Sequence, residues 1–270
     1  MTSSRQSWLR TALFVSLVAL PAVLVSADRG TKNLRKPNPD DRTVDMFAAI
    51  ASKEIEVKLI PKDETESRVM IKNNTKKPLN VKLPEAFAGV PVLAQVGGVG
   101  GAGGGSTSGG ANQSYGGGGG GMGMGGGGMM GGGGMFNVAP EQVGQFKVAT
   151  VCLEHGKKVP RPQIPYEIAP LDVVTTKPGV KELLVAFGKG RIDQRATQAA
   201  AWHLANDLSW EQLAGKRIKH LNGTSEPWFS PQEIRAAVQL ARAAMVEAEE
   251  NRPGSPGESE SPSTAVSQLD

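Results

Sequence analysis

The chain carries a single cysteine, Cys152, and three histidines, His155, His203 and His220. A lone thiol can form no internal disulfide. Cys152 is therefore a small buried apolar group, half of a bridge to another chain, or a group committed to chemistry. His155 follows it at the C-x-x-H spacing of a metal half-site, which His203 and His220 would have to complete from scattered positions. The same cysteine and histidine types also suit a nucleophilic hydrolase. No glycine motif for an oxyanion stands beside Cys152, and neither a metal nor another cofactor is expected.

A second group of residues lies on a helical stretch, residues 192–206. Thr197-Gln198-Ala199-Ala200-Ala201-Trp202 sits at its centre, with His203 and Asn206 beyond. Gln198 and Trp202 are four apart and so share a helix face. On their own, Gln198 reads as a good helix former and Trp202 as a core residue. The segment resembles the T-Q-x-A motif, followed by tryptophan, of bacterial surface thioester domains. The resemblance covers about residues 146–210, with Val151 standing where that family usually has an aromatic residue or leucine before its cysteine. It implies that Cys152 condenses with Gln198, losing ammonia and leaving an internal thioester. A thioester is an acyl electrophile for an amine or hydroxyl on a target surface, and it needs a dry, fixed geometry. Supporting roles then fall to Trp202 as a cover, Thr197 within the motif, His155 or His203 as a base, and Asn206 as a donor to the acyl oxygen.

The elements that must position these residues change period along the chain. Ile55, Val57 and Leu59, then Val69 and Ile71, then Leu79, Val81 and Leu83 alternate with polar residues. They predict short antiparallel strands with one wet face. Asn73-Asn74-Thr75-Lys76-Lys77-Pro78 resembles the strand corner of bacterial Ig-like modules. Phe146, Val148 and Val151 resume a strand that runs into Cys152. From residue 175 the period becomes helical: Val180, Leu183, Leu184 and Phe187 behind Thr176 as cap, then residues 192–206, then capping boxes at Ser209 and Ser230. The last helix is expected to bury Ile234, Val238, Ala241, Met245 and Ala248. The fold class expected is α+β: an Ig-like β-sandwich over residues 46–170 followed by a small helical bundle over residues 171–250.

Residues 97–136 hold most of the 35 glycines and five of the nine methionines. Such a segment predicts a disordered loop inserted into the sandwich, its methionines a conceivable Cu(I) trap. Residues 1–27 read as a secretory signal, with Arg5 and Arg10 ahead of an apolar core and a cleavage site after Ala27. Residues 251–270 form a Pro/Ser/Glu tail, expected to be disordered. The formal charge of +4 includes Arg5 and Arg10, and no basic run interleaves with aromatics, so nucleic acid is not an expected partner. These features together predict a non-enzymatic protein, secreted, periplasmic or at the cell surface, with no membrane span once the signal is removed. It binds a target that the sequence leaves unnamed. A purely structural exported module and a Cys/His metal or hydrolytic protein stay open as alternatives.

Overall fold

The computed structural model describes residues 33–92, 112–119, 134–190 and 192–252. The signal segment and nearly all of the tail lie outside them, as does the tract apart from residues 112–119 and 134–136. Eleven strands and five α-helices follow in the order β1 (Arg42–Asp45), α1 (Met46–Ala51), β2 (Ile55–Pro61), β3 (Glu66–Asn73), β4 (Leu79–Lys82), β5 (Ala86–Pro91), β6 (Tyr115–Gly118), β7 (Met135–Val138), β8 (Val143–Cys152), β9 (Tyr166–Ala169), α2 (Val180–Gly188), α3 (Gln194–Asn206), α4 (Trp210–Gly215), β10 (Arg217–Lys219), β11 (Ser225–Pro227) and α5 (Pro231–Glu250).

The expected Ig-like sandwich followed by a helical bundle is wrong. Six strands close into one antiparallel barrel in the order β2-β3-β8-β6-β5-β9, with Leu59 opposite Tyr166 sealing the ring. A separate mixed sheet, β1-β4-β7, pairs β1 with β4 in parallel and β4 with β7 antiparallel. Helices α2, α3 and α5 do not form a free-standing bundle. α2 and α3 lie against β6 and β8 of the barrel, and α5 packs across the two of them. Period-two patterning specifies strands with one buried face, and barrels and sandwiches satisfy it equally; closure depends on strands that carry no such pattern.

The strand that matters most here is β6, Tyr115-Gly116-Gly117-Gly118, which lies inside the tract expected to be disordered. It is fully buried and sits between β5 and β8. Its glycines are needed for close approach. A Cβ on Gly118 would stand 2.1 Å from the carbonyl oxygen of Leu184 and 2.6 Å from Cα of Gly188, so only glycine lets α2 rest on the strand. The disorder expectation is thus overturned for residues 115–118 and for 135–136, which belong to β7.

Two cores result. Leu59, Val69, Ile71, Phe87, Tyr115, Phe146 and Val148 fill the barrel and continue into Leu79, Val81 and Phe136 of the mixed sheet. The second core lies between the barrel wall and the helices, where Val151 and Leu153 meet Leu184, Phe187, Ala199, Trp202, Ala237 and Ala241. Helix starts follow local chemistry. Both capping boxes form, at Ser209 with Gln212 and at Ser230 with Glu233, the latter with proline at its first turn. The expected cap at Thr176 does not form; α2 starts after Gly179, whose φ of +81° suits glycine alone. The buried stripe of α5 is Ala237, Ala241 and Ala244, and Met245 is exposed, because the close seam admits small side chains and turns the long one outward.

Candidate functional site

The site lies where β8 ends. On one side β8 pairs with β6 through Tyr115 opposite Cys152, and Leu153 N–H donates to Ser114 O at 3.0 Å. That register makes Tyr115 and Cys152 a non-hydrogen-bonded pair, so the N–H and C=O of Cys152 point away from β6. On that other side β3 has already turned off: its ladder with β8 ends at Glu66 opposite Ala149, and Thr150 N–H donates to Thr65 O. Two buried main-chain groups of Cys152 would be orphaned there. Leaving such groups unpaired costs about 1–3 kcal/mol each.

Helix α3 fills the missing strand's place. Asp193 caps it, accepting from Ala196 N–H at 2.8 Å, and Thr197 Oγ1 donates back to Asp193 O at 2.7 Å. Ala196, Ala199 and Ala200 are fully buried, and their small side chains bring the helix against the strand. The Gln198 carboxamide then bonds Cys152 at both ends. Cys152 N–H donates to Gln198 Oε1 at 2.8 Å, and Gln198 Nε2 donates to Cys152 O at 2.9 Å. One helical turn earlier, Gln194 Nε2 donates to Thr150 O at 2.6 Å. The spacing matches because four helical residues advance about 6 Å and two strand residues about 6.6 Å. Gln194 and Gln198 together act as a side-chain strand edge.

Cys152 is 1% exposed, and burial, helped by the charge of Glu64, pushes its thiol pKa far above the ordinary range. Burial likewise raises the phenols of Tyr115 and Tyr166, with Cys152 contributing to both; their rings lie 5.0 Å apart. The surroundings are not purely aliphatic. Cys152 and Gln198 line one cleft of about 190 Å³ together with His155, Trp202, Lys216 and Trp228. Two polar atoms on that lining, Gln113 Oε1 and Trp202 Nε1, are buried without a hydrogen-bond partner.

Of the residues singled out from sequence, Cys152, Gln198, Trp202 and His155 come together. His155 packs edge-on to Trp202 with ring centroids 4.8 Å apart, and the main-chain N–H of His155 donates to Asn206 Oδ1 at 3.0 Å. Asn206 therefore spends its oxygen holding the loop after β8. Burial, then the nearby charge of Lys216, lowers the His155 pKa and favours the neutral ring. Lys216 Nζ lies 2.9 Å from His155 Nε2, and burial lowers the lysine's own pKa. Thr197 is buried within the helix and serves α3 itself.

His203 is not at the site: its Nδ1 meets Leu208 O at 2.7 Å and its ring stacks on Trp210 at 4.0 Å. That excludes it as the base. His220 is on the β10–β11 hairpin, 3.5 Å from Glu226. The metal set thus fails to assemble, and among the described residues no three His, Cys, Asp or Glu side chains gather around one point.

Sequence reasoning missed Gln194, Lys216, Trp228 and Phe229. Gln194 had a usable signal, its four-residue spacing from Gln198. Lys216 and Trp228 had none, being twelve positions apart and joined only when Trp228 N–H donates to Lys216 O at 2.8 Å. No helix among the described residues is long and apolar enough to cross a membrane. No protein-family model, curated protein or solved structure matches the chain.

Proposed function

We propose that this chain is an exported surface or periplasmic binding protein that attaches to its target through an internal thioester between Cys152 and Gln198. The observation that carries the reading is the two-point clamp. The Gln198 carboxamide is held at both ends by the peptide groups of the one residue whose thiol would attack it. The carboxamide is thereby fixed against the main chain of the residue that carries the thiol. Cys152 N–H polarises the carbonyl and would stabilise the oxyanion as the carbon becomes tetrahedral. Cys152 O orients the amide nitrogen that must leave.

In the first step Sγ bonds to Cδ of Gln198, the C–N bond breaks, and ammonia departs with the thiol proton. In the second, an amine or hydroxyl of the target bonds to the same carbon, and Cys152 leaves as the thiol. The bond is consumed once, so the protein binds and does not turn over. The buried thiol needs a proton acceptor, and neutral His155 lines the same cleft. Trp202, one turn beyond Gln198, walls the cleft and limits water. Export rests on residues 1–27 and on the chemistry, since a reactive acyl group meant for a foreign surface has to reach it.

A Cys/His hydrolase would need the thiolate at every turnover, which the raised thiol pKa disfavours, whereas the thioester forms once and then stands. A structural reading uses the same two hydrogen bonds and forms no new bond. Intact mass separates them. The thioester protein is one ammonia lighter than its sequence, and both Cys152→Ala and Gln198→Ala abolish the deficit. A full-mass wild type whose thiol titrates on denaturation leaves only the structural clamp.

A further inference from the structure

Lys216 is held in an unusual way. Its ammonium lies 4.9 Å from the ring centre of Trp228 and 5.2 Å from that of Trp202, and it donates to His155 Nε2 at 2.9 Å. Among the described residues no carboxylate pairs with it. Two indole faces and one imidazole lone pair therefore hold a primary ammonium at the rim of the cleft. The backbone there is anchored independently, because α4 ends at Gly215 and Trp228 N–H bonds Lys216 O at the base of the hairpin. The side chain can swing outward without breaking a main-chain contact.

We infer that Lys216 is an internal plug: it occupies an alkylammonium cage formed by Trp202, Trp228 and His155, and it masks the lone pair of His155 until an incoming primary amine takes its place. The cage is read from the lysine that fills it, and its role as a gate rests on the thioester reading. A tethered ammonium competes at an effective concentration of about millimolar or above. Free amines in solution are thus kept out, and an amine presented on a docked surface is admitted.

The cage can be tested without the thioester. In a Cys152→Ala background, where no thioester forms, Lys216→Ala is titrated with n-butylammonium and followed by tryptophan fluorescence. Saturable binding about tenfold tighter than with Lys216 present is expected; no saturation, or equal affinity in both proteins, overturns the cage. Lys216→Met keeps the aliphatic stem and guards against misfolding of the alanine variant, and it should show the same gain. The gate is tested with Cys152 in place: methylamine should consume the thioester of Lys216→Ala about tenfold faster than that of the wild type. An unchanged or slower rate overturns the plug and makes Lys216 a helper of the reaction. If the wild type shows no ammonia deficit, the thioester reading fails, and with it the gate, while the butylammonium titration still decides the cage.

Discussion

The barrel interior and the seam between barrel and helices are built by opposite means. Inside the barrel, large side chains such as Phe146, Phe87 and Tyr115 fill the space, and the ladders satisfy the main chain. At the seam, alanines and glycines draw two elements together, and two glutamine side chains complete hydrogen bonding that the ladder leaves undone. The barrel gains stability from volume. The seam gains a close approach, and the thioester proposed above would draw on it. In that reading the polar side chain that does a strand's work would also be a reactant.

That contrast can be broken at either end. Phe146→Ala, which removes a ring 5.3 Å from that of Phe136, should cost about 3–5 kcal/mol in denaturant unfolding and leave the intact-mass result of the wild type unchanged in whatever protein folds. Gln198→Ala orphans both Cys152 main-chain groups and should cost about 2–4 kcal/mol. Gln194→Ala, which frees only Thr150 O, should cost about half as much; equal losses would mean the two amides are not acting as a graded edge. Gly118→Ala forces α2 off β6 and should cost about 1–3 kcal/mol, visible as a lower Tm.

The smallest effect is electrostatic. The folded state lowers the His155 pKa, so the unfolded chain binds that proton more readily. Stability should then fall as pH drops through the ordinary histidine value of about 6.5 and level off once the folded ring is protonated too. Lys216→Met removes one of the two causes and should raise the His155 pKa, read by NMR titration, while burial keeps part of the depression. A pKa that does not move would show that the lysine charge is not felt at the ring.

The sequence carried the barrel's walls and lost its closure. Ile55 to Leu59, Val69 to Ile71 and Phe146 to Val151 alternate, and each became a strand. β6 could not be read that way, because three consecutive glycines have no apolar period and the burial of their backbone depends on neighbours far along the chain. In α5 the periodicity was right and the register was not, since alanine carries little hydrophobic weight and the seam prefers it to methionine. At the site, Cys152 and His155 were legible from type and spacing, while Gln198 and Trp202 stood out only through the resemblance to thioester domains. Lys216 and Trp228 come from the two feet of a hairpin, a placement that local pattern does not encode.

The glycine strand also sets an order of events. β6 enters between β5 and β8 by pairings such as Tyr115 with Gly89 and with Cys152, both distant in the chain. It offers no side-chain collapse of its own beyond Tyr115 to speed them. Contacts of this kind form late in folding. α2 rests on β6, and Cys152 receives its last strand neighbour only when Tyr115 arrives. Closure of the barrel and completion of the strand end that Gln198 clamps are therefore one kinetic event. The thioester proposed above would accordingly form only in a finished molecule.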